Sequence, residues 1–191
     1  MQLLLASKSP RRRELLRQLG IPLTIVDVDV DERLSHSLPA DEVAEALARL
    51  KAEGYKGVIS DNQILVTADT VVVLGNQVLG KPHSHEEAAD MLSRLSGKVH
   101  QVYTGVCLRG AHKSVGFTER TDVHFRQLSD FEIEYYIDTY KPYDKAGAYG
   151  IQEWIGMVGI ERIEGCYYNV MGLPVARLYR ELVSLTGGKA L

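Results

Sequence analysis

The sequence predicts an α/β fold with a mixed sheet. Segments of helical and of strand period alternate along the chain, and caps and glycine stops punctuate them. Tight hairpins lie among these segments. The 191 residues suffice for a real core, as one domain over 1–191 or as two small lobes. Gln2–Ala6 reads as a short buried strand. Pro10–Leu19 is a helix, with Ser9 as N-cap, Pro10 at the first helical position and Gly20 as its stop. Leu23–Val30 alternates, with Val26, Val28 and Val30 on one side and Asp27 and Asp29 on the other. That pattern predicts a half-buried strand. Asp41 opens a helix to about Glu53, with Val43, Ala44, Leu47 and Leu50 on its apolar stripe and Lys51 near its end. Ile64–Leu74 is strongly strand-like, and Gly75-Asn76 turns it into Gln77–Leu79. Ser84 and Glu87 have capping-box spacing before Ala88, Met91, Leu92 and Leu95, and Gly97 ends that helix. Val99–Leu108 and Ser114–Phe125 form two long antiparallel strands around Gly110. Ser129 and Glu132 repeat the box before Ile133, Tyr136 and Ile137. A Gly-rich loop over Asp144–Gln152, a strand over Val158–Ile163 and a helix over Pro174–Ser184 complete the chain.

Composition excludes several classes. Hydrophobic residues make up 45% and charged residues 25%, which is the balance of a globular chain and not of a disordered or fibrous one. No apolar run approaches the roughly 18–20 residues of a membrane span. Leu3–Ala6 is too short for a signal-peptide core, and its charges follow it instead of preceding it. A cytoplasmic location is therefore expected. The net charge of −3 lacks the basic excess of a duplex-binding domain, so neither nucleic-acid duplex nor membrane is an expected partner. Cys107 and Cys166 make no disulfide framework, the histidines lack zinc spacing, and no Gly-x-Ser-x-Gly elbow is present.

Five constellations carry chemistry. Ser7-Lys8-Ser9-Pro10-Arg11-Arg12 sits at a strand-to-helix junction, where unpaired N–H groups and the helix dipole favour an anion. Arginines in a first turn oppose that dipole unless an anion is expected there. Ser7, Arg11 and Arg12 would then grip a polyphosphate; equally, they could form a solvated basic face. Asp69, in Ala68-Asp69-Thr70, stands among aliphatic residues of a strand, where a carboxylate is costly unless paired, hydrogen-bonded or metal-bound. A metal ligand or general base is the functional reading, and a strand-end Asp capping a bulge the plain one. Lys81 precedes Pro82, which holds the chain extended and could aim the lysine back towards the carboxylate. Taken alone, Lys81 and Lys51 are ordinary surface lysines. In Asp144-Lys145-Ala146-Gly147-Ala148-Tyr149-Gly150-Ile151-Gln152, small residues allow close approach of backbone to a ligand, and the Gln152 amide suits a base edge. A structural turn is the alternative. Asp31-Glu32 could hold Mg²⁺ with substrate phosphates, or be a solvated loop.

Taken in order, these motifs resemble the Maf family of nucleoside triphosphate pyrophosphatases over nearly the whole length. Leu47-Ala48-Arg49-Leu50-Lys51-Ala52 and Gly80-Lys81-Pro82 belong to the same pattern. The resemblance implies an elongated twisted sheet with flanking helices and two lobes around a central cleft, similar to the inosine-triphosphate pyrophosphatase architecture. It implies cleavage of a nucleoside triphosphate to the monophosphate and pyrophosphate with a divalent cation; the mechanism expected here has Glu32 and Asp69 hold Mg²⁺ or Mn²⁺, with Asp69 as either ligand or base. It makes Asp69 the proton acceptor and ties Arg11, Thr70 and Gln152 to substrate choice. Lys51, Lys81 and Lys145 would neutralise charge on the leaving pyrophosphate. One subgroup of the family has Ser-Asp-Gln at the acidic motif and prefers 7-methyl-GTP. The other has Ala-Asp-Thr and the full Asp144–Gln152 pattern and prefers dTTP and UTP; this sequence has the second set unaltered. Lys8 stands where the family often has a small residue. The implied role is house-cleaning of the nucleotide pool, with a link to division arrest. A nucleotide sensor of septum formation and a nucleotidyltransferase are the competing readings, and a homodimer stays open.

Overall fold

The computed structural model describes residues 1–31 and 38–188. The elements are β1 (Gln2–Leu5), α1 (Pro10–Gln18), β2 (Leu23–Ile25), α2 (Ala40–Gly54), β3 (Gln63–Leu74), β4 (Gln77–Leu79), α3 (His85–Leu95), β5 (Val99–Arg109) and β6 (Ser114–Phe125). They continue with α4 (Asp130–Tyr140), a 3₁₀ turn at Ala146–Ala148, α5 (Trp154–Gly159), β7 (Ile160–Glu164), α6 (Tyr167–Met171) and α7 (Val175–Leu185). Among the described residues the strands form one seven-stranded sheet in the order β2-β1-β3-β5-β6-β7, with β4 paired to β3. The sheet is mixed: β1 runs parallel to β2 and to β3, whereas β4 and β7 run antiparallel to their partners. The fold is the predicted mixed α/β class.

The chain divides into two compact units, and the division runs through β3 between Asp69 and Thr70. The described residues of the first unit fall within Met1–Asp69, Thr104–Glu119 and Gly172–Leu191. Its parallel strands register Leu3 with Leu23 and with Ile64, and Leu5 with Ile25 and with Val66. Leu3, Leu4 and Leu5 are buried, as a continuous apolar run in a parallel sheet must be. Helix α2 covers this part of the sheet closely. Thr67 Oγ1 donates to the Ala48 carbonyl at 2.6 Å, and Arg109 Nη1 to that of Ala52 at 2.7 Å. Gly105 on β5 lies so near that an added Cβ would fall 2.2 Å from the Ala44 carbonyl carbon.

The predicted strand over Leu23–Val30 stops at Ile25. Its partner β1 ends at Leu5, so after Val26 N–H reaches the Leu5 carbonyl at 3.0 Å no further ladder is available. Val26 and Val28 pack instead against the core formed by Leu4, Ala48, Ala52 and Leu65.

The second unit comprises Thr70–Tyr103 and Arg120–Met171. Its core gathers Leu92 and Leu95 of α3, Phe125 of β6, and Ile133, Tyr136 and Ile137 of α4. The Ser129–Glu132 capping box is complete. At α3 only half forms: Ser84 Oγ accepts from Glu87 N–H at 3.2 Å, but the Glu87 carboxylate takes the His83 N–H at 2.7 Å. The predicted strand over Val158–Ile163 is also corrected: α5 occupies Trp154–Gly159, and β7 starts at Ile160. Gly156 permits this turn, since an added Cβ would meet the Ile151 carbonyl oxygen at 1.9 Å, and Arg126, just past the end of β6, donates to the Val158 carbonyl at 2.5 Å.

Candidate functional site

In the first unit the helix start is built as its sequence suggests. Ser9 caps α1, its Oγ accepting from Arg12 N–H at 3.4 Å, and Pro10 fills the first position. Ser7 Oγ accepts from Ser9 N–H at 3.2 Å and from Arg12 Nη1 at 3.4 Å. The first turn carries no acidic residue. Arg12 does more than supply charge: its Nη1 donates to the Ala68 carbonyl and its Nε to the Gly172 carbonyl, each at 2.8 Å. The guanidinium therefore ties the start of α1 to the segment of β3 that precedes Asp69. Arg11 is half-buried.

Asp69 lies mid-strand, away from any strand end. Lys51, in the last turn of α2, reaches it with Nζ 2.7 Å from Oδ1. The two side chains are only 15% and 17% exposed, so the lysine is no ordinary surface residue. The packing of Ala48 and Ala52 against the sheet sets the face of α2 from which Lys51 projects. Buried charge demands a partner, and each of these groups supplies the other's.

The predicted metal pair is represented by one member: Asp69 is described, while Glu32 lies outside the described residues. Asp31 is exposed. Among the described residues no group of three or more His, Cys, Asp or Glu converges as a cation cage.

In the second unit, Thr70 is half-buried, Lys81 and Gln152 are exposed, and Pro82 is buried. Lys145 differs from all of these. Its side chain is 10% exposed, and its Nζ lies 2.7 Å from Asp144 Oδ1 and 3.0 Å from Glu153 Oε1. Tyr136 donates its hydroxyl proton to Glu153 Oε2 through a short hydrogen bond and accepts the Gly150 N–H at 3.0 Å. Burial and the Glu153 carboxylate push the Tyr136 phenol well above its ordinary range, so it stays a proton donor. The loop is pinned further along. Gly147 has φ +68°, and an added Cβ would meet Val72 at 3.0 Å. Ala148 also has positive φ, 61°. Tyr149 OH lies 2.7 Å from His100 Nε2, within a cluster of edge-on rings with Phe125. Burial holds His100 neutral, its pKa lowered to about 3.

Sequence reasoning missed Glu153, Tyr136 and His100. Glu153 directly follows the Gly-rich motif and was visible there, but nothing in the spacing tells that Tyr136 faces it. Neither pairing of lysine with carboxylate by α2 and β3, 18 residues apart, nor the burial of Lys145 has a local signature.

A family model described as Maf-like protein matches residues 2–185. The chain is 53% identical to a dTTP/UTP pyrophosphatase of Parabacteroides distasonis, over 95% of this chain and 94% of that one. It is 49% identical to the protein of the same name from Bacteroides thetaiotaomicron, over 96% of both chains. To that of Porphyromonas gingivalis it is 50% identical, over 95% of this chain and 92% of the other. Among solved structures, the Ham1 protein of Staphylococcus aureus matches 65% of this chain and 72% of its own, at 16% identity and a TM-score of 0.47. With the Ser7–Arg12 helix start, the Lys51–Asp69 pair and the pinned Asp144–Gln152 loop all inside the matched span, the chain belongs to the Maf-like protein family.

Proposed function

We propose that this chain is a nucleoside triphosphate pyrophosphatase that hydrolyses dTTP and UTP to the nucleoside monophosphate and pyrophosphate. The observation that carries the reading is the half-buried Lys51–Asp69 pair at 2.7 Å in the middle of an apolar strand. A strand interior tolerates such a carboxylate only at a cost, and a reaction that must move a proton gives that cost a purpose. The relatives named dTTP/UTP pyrophosphatase, about half identical over nearly the full length, support the substrate class.

A water oxygen attacks the α-phosphorus in line, the bond to the bridging oxygen of the pyrophosphate breaks, and Asp69 takes the proton that water gives up. Lys51 holds the Asp69 carboxylate in register for that transfer. Arg11, Ser7 and the N–H groups at the start of α1 bind phosphate oxygens, while Arg12 keeps that start fixed on the Ala68 and Gly172 carbonyls. Lys81 and Lys145 meet charge that develops on the leaving pyrophosphate. Thr70 and Gln152 bear on the choice of base. Mg²⁺ or Mn²⁺ would be held by Glu32, and by Asp69 only in the alternative in which the cation, not Asp69, activates the water. When bound, the cation supplies charge neutralisation at the phosphate oxygens. The enzyme would serve the cytoplasmic nucleotide pool.

The test is pyrophosphate release from dTTP, UTP, CTP, dATP, GTP and 7-methyl-GTP, with Mg²⁺ or Mn²⁺ and with EDTA. Metal-dependent release, fastest with dTTP and UTP, is expected. Nucleotide binding without release would overturn the reading in favour of a sensor.

A further inference from the structure

Lys145 is a cation placed in a poor solvent, and its surroundings show how it is kept there. Of its two counter-ions, Asp144 is 57% exposed and Glu153 only 24%. An exposed partner is screened by water and holds an ammonium loosely, so Glu153 is the group that fixes its position. Glu153 is itself fixed. It stands at the N-cap of α5, and its second oxygen accepts the Tyr136 hydroxyl. Tyr136 is fully buried on α4, and the Gly150 N–H on its oxygen directs its one proton toward Glu153. The donors therefore run one way, from Gly150 through Tyr136 to Glu153, leaving Oε1 to face the ammonium. Gly150 makes room for this: an added Cβ would lie 2.9 Å from the Glu153 carboxyl carbon and 3.1 Å from Lys145 Cε.

We infer that Glu153, locked by Tyr136, is the positioning residue that presents the Lys145 ammonium to the triphosphate of the substrate. The inference rests on the reading of Lys145 as a phosphate ligand. Two of the three ammonium N–H donors have a carboxylate within 3.0 Å, and the third is the one that a phosphate oxygen takes. Glu153 and Tyr136 touch no substrate; they act through Lys145.

The experiment is a double-mutant cycle on pyrophosphate release from dTTP. It uses Tyr136→Phe, Glu153→Gln, Lys145→Ala and the two combinations with Lys145→Ala. A ¹H–¹⁵N spectrum of lysine ammonium groups is recorded beside it, with the Lys145 signal identified by its loss in Lys145→Ala. Tyr136→Phe removes one oxygen and keeps the ring in the core, so it remains informative if Glu153→Gln fails to fold. Each single variant is expected to lower kcat/KM about tenfold, the scale of one hydrogen bond to a charged group. Neither should add to the loss in Lys145→Ala, and the ammonium signal should broaden or vanish in both. Losses that multiply in the combined variants, or an ammonium signal unchanged by either substitution, would overturn the inference while Lys145 keeps its role. Wild-type kcat/KM in Lys145→Ala would instead sink the reading of Lys145 as a phosphate ligand, and this inference with it.

Discussion

Asp69→Asn isolates what the Asp69 charge does. Asparagine has nearly the same shape, and its amide oxygen can still accept from Lys51 Nζ, so the substitution removes a charge and little else. The structural cost can be bracketed. Breaking a fully buried ion pair costs about 3–5 kcal/mol, and an exposed pair contributes about 0–1 kcal/mol. With side chains 15% and 17% exposed, the pair lies toward the buried limit, and the retained hydrogen bond offsets part of the loss. About 1–3 kcal/mol is expected, which lowers Tm by roughly 3–10 °C in a chain of this size. That leaves a folded protein, since domain stabilities run to about 5–15 kcal/mol. The catalytic cost is of another order: removing a general base lowers turnover by about 10²–10⁴. The assay pairs pyrophosphate release from dTTP with a thermal melt of the same sample. A cooperative melt with turnover within tenfold of wild type would refute the assignment of Asp69 as proton acceptor.

Three further outcomes follow from the geometry. Arg12→Lys keeps the charge but cannot span the Ala68 and Gly172 carbonyls, so a loss of about 2 kcal/mol and a fall in Tm of roughly 4–8 °C are expected; an unchanged melt would show that the tie is idle. Gly105→Ala drives a methyl to 2.2 Å from α2 backbone and should cost about 3 kcal/mol or more in chemical denaturation, whereas a wild-type midpoint would contradict the close approach of β5 to α2. His100 has its pKa lowered to about 3, so between about pH 6.5 and 3 the unfolded chain binds the proton that the folded one refuses. Its contribution is fully present above about pH 6.5 and is lost as pH falls, by up to about 1.4 kcal/mol per pH unit; denaturation midpoints of His100→Gln should show a flatter acid limb, and an unaltered slope would place the acid sensitivity elsewhere.

What could be read from sequence was what local physics writes locally. Ser9 and Pro10 announced α1, Gly75-Asn76 the β3–β4 turn, and Ser129 with Glu132 the start of α4, because caps and turns are decided within four residues. Helix α5 was hidden: six residues make under two turns, too few for a helical period to appear against the strand-like Val158, Ile160 and Ile163. The end of β2 was hidden for another reason. Val26, Val28 and Val30 alternate as a strand would, but a strand needs a neighbour, and β1 runs out at Leu5. In the candidate site, Asp69 declared itself by violating its surroundings. Lys51 and Lys145 carried no such sign, since a lysine becomes unusual only when the fold takes away its water.

Each unit thus holds a half-buried or buried lysine against a carboxylate of its own: Lys51 with Asp69, and Lys145 with Glu153. On the proposed function, the Lys145 pairing answers the chemistry of a highly anionic substrate, while the Lys51 pairing holds the carboxylate that takes the proton. Cations must be in place before the phosphates arrive, because ordering a long side chain during the reaction would cost side-chain entropy. A cation held in place and shielded from water needs an anion beside it, or it would be driven to shed its proton. The internal carboxylate solves that problem and sets a limit of its own, since it competes with the substrate for the same ammonium. On that reading, one N–H of Lys145 directed away from its carboxylates reconciles the two demands, and the three donors of a lysine allow it. Arginine at either position would offer a planar fork, which a single carboxylate can occupy on both prongs. Lysine, as a point charge with donors spread around it, can serve a resident anion and a visiting one at once.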